Sequence, residues 1–273
     1  GGIYTWSNGS SIDSIVVSPS TTTNFLLDYQ LNGCNSLQAT STISVNPVPT
    51  LGVNNSTICA GNSTTITAIP NLPGGTFYWG NPGVIGGASQ TISPLNDTTL
   101  SVNYSLNGCS SSIVTSNVTV NPLPISTFSA TVTQGCTPLQ VTLSADDNSN
   151  NTYTWSTSNS LSGSGPQANF LFQMNGSFDV SLTSTLNGCS VTETITNFIQ
   201  VDNYPIAAFE ASSDLFTEPN QTLYFMNNSL GASSYYWDFG DGGNSTEEGP
   251  AHLFNDNQQG FEIILTAISN LGC

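Results

Sequence analysis

Six cysteines offer this 273-residue chain most of its reactive chemistry. Cys34, Cys109 and Cys189 each close the string Leu-Asn-Gly-Cys, and Cys273 closes the related Asn270-Leu271-Gly272-Cys273. Cys59 and Cys136 each precede a Trp. No Cys-x-x-Cys spacing suits zinc, so recurrence at matched positions points to disulfides and to an oxidising, extracytoplasmic compartment. Cys59 precedes Cys109, and Cys136 precedes Cys189, by about 50 residues, and a bond closing such a loop contributes about 4 kcal/mol in the chain-entropy model. The expected pairs are therefore Cys59–Cys109 and Cys136–Cys189. Cys34 and Cys273 are left unpaired within their own repeats. The partner of Cys34 is expected upstream of Gly1; Cys273 is free, bonded to further sequence, or bonded to another chain.

Carboxylates are the second candidate. Asp238 and Asp241 flank Gly240 in Trp237-Asp238-Phe239-Gly240-Asp241-Gly242, a spacing that can offer hard oxygen ligands to calcium, with Glu247, Glu248 and Asp256 as helpers. The stronger reading is that each Asp accepts a backbone N–H two residues on and fixes a turn. No other cofactor is expected. His252, the only histidine, stands in Pro250-x-His-x-Phe254 without a catalytic arrangement of Cys, Ser or Asp, and reads as structural. Asp146 and Asp147 are adjacent on a turn and point apart. With no Lys or Arg there is little to stabilise developing negative charge, so no catalytic constellation is present and the chain reads as non-enzymatic.

Seventeen Asp and Glu against no Lys or Arg give a formal charge of −17. Such a chain cannot release counterions from phosphates or bind an anionic bilayer electrostatically, which excludes nucleic acid and acidic membrane partners. No apolar run is long enough for a spanning helix, so no membrane insertion is expected. The charged fraction is only 6%, unlike a disordered acidic tail. Without salt bridges, cohesion must come from burial, strand ladders, neutral hydrogen bonds and disulfides.

The elements that position these residues repeat. A Trp anchor recurs as Tyr4-Thr5-Trp6, Phe77-Tyr78-Trp79, Tyr153-Thr154-Trp155 and Tyr235-Tyr236-Trp237 at spacings of roughly 73 to 82 residues. Alternation of period two marks strands over 24–31, 39–45, 64–68, 100–106, 113–120, 141–145, 178–186, 192–201 and 261–268, with a shorter stretch at 14–17, and no window carries a helical period. Val45-Asn46-Pro47-Val48-Pro49 and Val120-Asn121-Pro122-Leu123-Pro124 read as stiff joints, and Val201 to Pro205 as a third. The expected organisation is all-β, a linear array of tandem sandwiches: 1–46 without its first strands, 50–121, 125–202, and 205–273 without its last strand. Tyr78, Tyr235 and Tyr236 could stack on sugars, but alternation turns one of each adjacent aromatic pair inward.

Trp237 to Gly242 resembles the hallmark string of the PKD domain, an immunoglobulin-like β-sandwich. In immunoglobulin-type sandwiches a Trp packs on an inter-sheet disulfide, the arrangement expected here. Asp13-Ser14-Ile15 and Asp97-Thr98-Thr99 resemble the O-glycosylation motif of Bacteroidota, which makes Ser14 and Thr98 candidates. Trp-strand repeats, Leu-Asn-Gly-Cys closures, Val-Asn-Pro-x-Pro joints and low charge are together similar to the giant cell-surface proteins of Bacteroidota, including gliding-motility adhesins exported by type IX secretion. That resemblance implies a stalk or filament on the bacterial surface. Its partners would be other copies, further modules, or a surface polysaccharide or protein. PKD domains also flank secreted hydrolases, so the alternative is a spacer or carbohydrate-binding module. A lattice subunit is a third reading.

Overall fold

The computed structural model describes residues 1–80, 83–147, 150–213, 220–255 and 260–273. Every regular element among them is a strand. The chain divides into two compact units, Gly1–Pro122 and Leu123–Cys273.

In the first unit, a sandwich pairs Leu51–Val53, Thr64–Pro70 and Ser89–Ile92 in one sheet. The facing sheet runs Ser56–Cys59, Val114–Asn121, Thr98–Leu106, Thr76–Trp79 and Val84–Gly86. Ile66, Ala68, Trp79, Val102 and Val118 meet between them, as alternation requires of residues two apart on a strand. Ahead of this sandwich stands a single sheet of Ile3–Trp6, Thr23–Leu31, Cys34–Asn35 and Ala39–Ile43. Among the described residues no second sheet faces it, and none of the buried clusters draws on it. The short strand expected at 14–17 is irregular chain.

The second unit holds two sandwiches. Phe128–Ala130, Leu139–Ala145 and Gln167–Phe172 face a sheet of Gln134–Cys136, Cys189–Asp202, Gly176–Leu186, Thr152–Thr157 and Ser162–Ser164. Phe209–Ala211, Gln221–Asn227 and Ala251–Phe254 face Asn244–Ser245, Ser234–Asp238 and Ile264–Ile268. Trp155 and Trp237 are fully buried at the two centres. Each indole N–H reaches forward to a backbone carbonyl at 2.9 Å, Trp6 to Ile12, Trp79 to Gly87, Trp155 to Gly165 and Trp237 to Glu247. The Trp thus supplies core volume and ties down the loop after its own strand.

Neutral pairs stand where salt bridges would. On neighbouring strands Ser181 faces Thr194, Thr183 faces Thr192 and Thr185 faces Ser190, with hydroxyl oxygens 2.8, 2.7 and 2.8 Å apart. Thr65–Thr91 and Thr67–Ser89 repeat the device in the first unit at 2.9 and 3.1 Å. Cross-strand hydroxyl pairs of this kind are worth a few tenths of a kcal/mol to about 1 kcal/mol each.

Candidate functional site

The Leu-Asn-Gly-Cys strings are two-residue hairpins. Leu31 pairs with Cys34, Leu106 with Cys109 and Leu186 with Cys189. Between them Asn32, Asn107 and Asn187 have φ near 50° and the following glycines near 80°, the left-handed pair of a type I′ turn. Each cysteine therefore leaves a hairpin tip, at one pole of its sheet.

Cys59 and Cys136 lie at the opposite pole. Their short strands run parallel to the ends of the closing strands, with Cys59 opposite Asn121 and Cys136 opposite Asp202. The strand from Cys189 to Asp202 is unbroken for 14 residues. At about 3.3 Å per residue that puts Cys189 roughly 40 Å from Cys136, whereas disulfide Cα atoms lie within about 7 Å.

The within-repeat pairs Cys136–Cys189 and Cys59–Cys109 are therefore corrected. Cys136 is bonded to Cys273, 137 residues away, with Cα atoms 5.6 Å apart. Cys109 is a free thiol. Cys59 and Cys189 are also in disulfides. Cys273, expected to lack a partner in this sequence, is bonded, and Cys34 is an exposed free thiol. The Cys136–Cys273 bond joins two successive sandwiches instead of bridging the two sheets of one around its Trp, and the Trp155 and Trp237 indoles bond to the loop carbonyls of Gly165 and Glu247.

The Cys136–Cys273 bond joins two successive sandwiches, and Asp202 organises the joint. One of its carboxylate oxygens accepts the Ser269 hydroxyl at 2.8 Å and the Leu271 N–H at 3.1 Å. Its carbonyl accepts the Thr137 N–H at 2.9 Å and lies 3.9 Å from Cys273 Sγ. The end of one closing strand thus holds both the strand that carries Cys136 and the turn that carries Cys273. Reading from sequence missed Asp202, although Val-Asn or Val-Asp stands at the same place before each proline joint.

The acidic turn is built as a hydrogen-bonded turn. Asp238 accepts the Gly240 N–H at 3.0 Å and Asp241 the Gly243 N–H at 2.9 Å. The other Asp241 oxygen lies 2.8 Å from Nε2 of His252, a contact that sequence reading missed when it left His252 without an acidic neighbour. The His252 ring stacks on Phe239 at 4.1 Å and meets Phe254 edge-on, which fixes its direction. Partial burial pushes the Asp241 carboxyl up, but the hydrogen bonds from His252 and Gly243 and the histidine charge outweigh it and hold the carboxyl below its usual value.

Glu247 and Glu248 do not join Asp238 and Asp241: among the described residues no three acidic, histidine or cysteine side chains converge as a metal site would require. Asp256 lies outside the described residues. Ser14 is exposed beside Asp13, while Thr98 is half-buried in a ladder opposite Val118. Asp97 accepts the Val120 N–H at 2.7 Å and so caps the start of that strand. Tyr235 packs on the last core and Tyr236 is 44% exposed, as alternation expected.

No protein-family profile and no curated protein sequence matches the chain. Among solved structures it is similar to the I-band fragment I67–I69 of titin, at TM-score 0.36 and 10% identity over 81% of this chain and 88% of that one. Extracellular domains 3–5 of Drosophila OTK match at TM-score 0.36 and 11% identity, over 79% and 94%. Immunoglobulin domains 1–5 of Sidekick-1 match at TM-score 0.31 and 14% identity over 90% of this chain, which spans 63% of theirs. The sandwich assignment rests on the strand pairing above rather than on these likenesses.

Proposed function

We propose that this chain is part of an extracellular structural or adhesive protein, a stalk or filament of immunoglobulin-like sandwiches displayed on a bacterial surface. The observation that carries the reading is the Cys136–Cys273 bond, which makes a joint between successive sandwiches covalent. A joint that must only link two independent domains needs a linker; one that must keep their order under load gains from a cross-link. The disulfides support an oxidising compartment. The absence of Lys and Arg leaves no site for trypsin-like proteases, which suits prolonged exposure outside the cell.

Within that reading, resemblance to the giant surface proteins of Bacteroidota adds export by type IX secretion and a part in attachment or gliding motility. The PKD-like string from Trp237 to Gly242 acts structurally, and Ser14 remains a candidate for O-glycosylation. The partners are further sandwiches of the same protein and a surface polysaccharide or protein reached by the loops. Cryo-electron microscopy of the full-length protein on cells tests this. Rows of sandwiches extending from the surface are expected. A globular catalytic domain flanking the sandwiches would make them spacers of a hydrolase and overturn the reading.

A further inference from the structure

The joint in the first unit is half of the one in the second. Cys109 Sγ lies 3.6 Å from the carbonyl oxygen of Asn46, as Cys273 Sγ lies 3.9 Å from that of Asp202. Asn46 also donates its side-chain amide to the Asn107 carbonyl at the hairpin tip, at 3.1 Å. Asn121 and Asp202 end the closing strands of two repeats, and Asn46 stands three residues past the end of the corresponding strand Ala39–Ile43; each follows a valine. At Asn121 and Asp202 a cysteine-bearing strand lies alongside in parallel, and the residue after the cysteine donates its N–H to the Asn121 or Asp202 carbonyl at 2.9 Å.

At Asn46 that companion strand is missing among the described residues, and the ladder stops at Ile43. The opposite side of this segment is already filled in the same way in both repeats: Val45 donates its N–H to the Thr22 hydroxyl as Val120 does to Asp97. The open side of Ser44–Asn46 is thus the side that carries Cys59 and Cys136 in the two later repeats, and Cys109 stands at its end.

We propose that Cys109 forms the second half of an inter-sandwich disulfide with a cysteine of this same polypeptide, carried on a short strand of the Gln134–Cys136 type lying parallel to Ser44–Asn46. The rule is a stagger: the strand cysteine of one sandwich bonds the turn cysteine of the next. An extracytoplasmic disulfide donor is the oxidant. The two thiols give up two protons and two electrons, the sulfur–sulfur bond forms, and the donor's own disulfide is reduced to a dithiol. The inference deepens the reading as a covalently jointed stalk and rests on it for the presence of a further repeat.

Non-reducing peptide mapping of the full-length natural protein, with thiols blocked at lysis, tests it. Because Gly1–Cys273 holds no Lys or Arg, the peptide carrying Cys109 is released by cleavage at Asp and Glu. The expected product joins the Cys109 peptide to one from the same chain outside Gly1–Cys273, about 2 Da lighter than the two reduced peptides together. A blocked Cys109 thiol, a Cys59–Cys109 product, or a bond that mixing of isotope-labelled and unlabelled protein shows to be between two chains would each overturn it. Because the readout is connectivity, it is independent of whether microscopy shows a stalk.

Discussion

Cys136 and Cys273 belong to different sandwiches, yet their Cα atoms are 5.6 Å apart and their sulfurs are bonded. In the chain-entropy model a closed loop of that length stabilises by about 5 kcal/mol, comparable with the whole stability of a small domain. The bond therefore couples the unfolding of the two sandwiches, which pairing within each repeat would not do.

The Asp241–His252 contact makes the last sandwich acid-sensitive. The Asp241 carboxyl is held below its usual value. Its contribution is fully present above the unfolded-state value near 3.9 and is lost as pH falls through the lower folded-state value. Asp241→Asn should cost on the order of 1 kcal/mol at pH 7, discounted for partial exposure, and almost nothing at the acid end. Urea unfolding read from Trp237, with the other three tryptophans replaced by Phe, checks this; an equal cost at every pH would refute it.

Gly243 is where this contact leaves no room for a side chain. A Cβ there would stand 2.4 Å from Cε1 of His252. Gly243→Ala should destabilise the last sandwich by about 1 to 3 kcal/mol. Gly87→Ala, whose Cβ would meet nothing within 4 Å, should change stability by less than about 0.5 kcal/mol. Thermal unfolding of the two variants should separate them.

Trp155→Phe removes the indole N–H that holds the Gly165 carbonyl and part of a core side chain. A loss of about 2 to 3 kcal/mol is expected. Hydrogen exchange should quicken in 158–166 more than in the Leu139–Ala145 strand. Uniform quickening across the sandwich would mean that the indole only fills volume.

The hairpins can be tested at Asn187, whose φ is 50°. Asn187→Gly should be nearly neutral and Asn187→Ala should cost about 1 kcal/mol, because only the alanine is strained in the left-handed region. Equal unfolding midpoints for the two variants would remove the type I′ assignment.

The sandwiches were legible because alternation alone sets which residues face inward: Val180 and Leu182 are buried while Ser181 and Thr183 pair outside. The Trp anchors were legible as core residues, but not the forward bonds to loop carbonyls. Cysteine connectivity was misread because loop length does not say at which end of a strand each thiol sits. The Asn-Gly within Leu-Asn-Gly-Cys carried that information, since a two-residue turn forces the cysteine to the tip. Asp241 and His252, one on a turn and the other on a strand of the facing sheet, are brought together only by packing of the two sheets.

The joint itself gives the most direct test of covalent linkage. With no Lys or Arg in the chain, Asn203→Lys at the exposed joint creates its only trypsin site. After cleavage the account predicts a single band on a non-reducing gel, held by Cys136–Cys273, which separates into two pieces only when reductant is added. Separation into two pieces without reductant would contradict it and restore pairing within each sandwich.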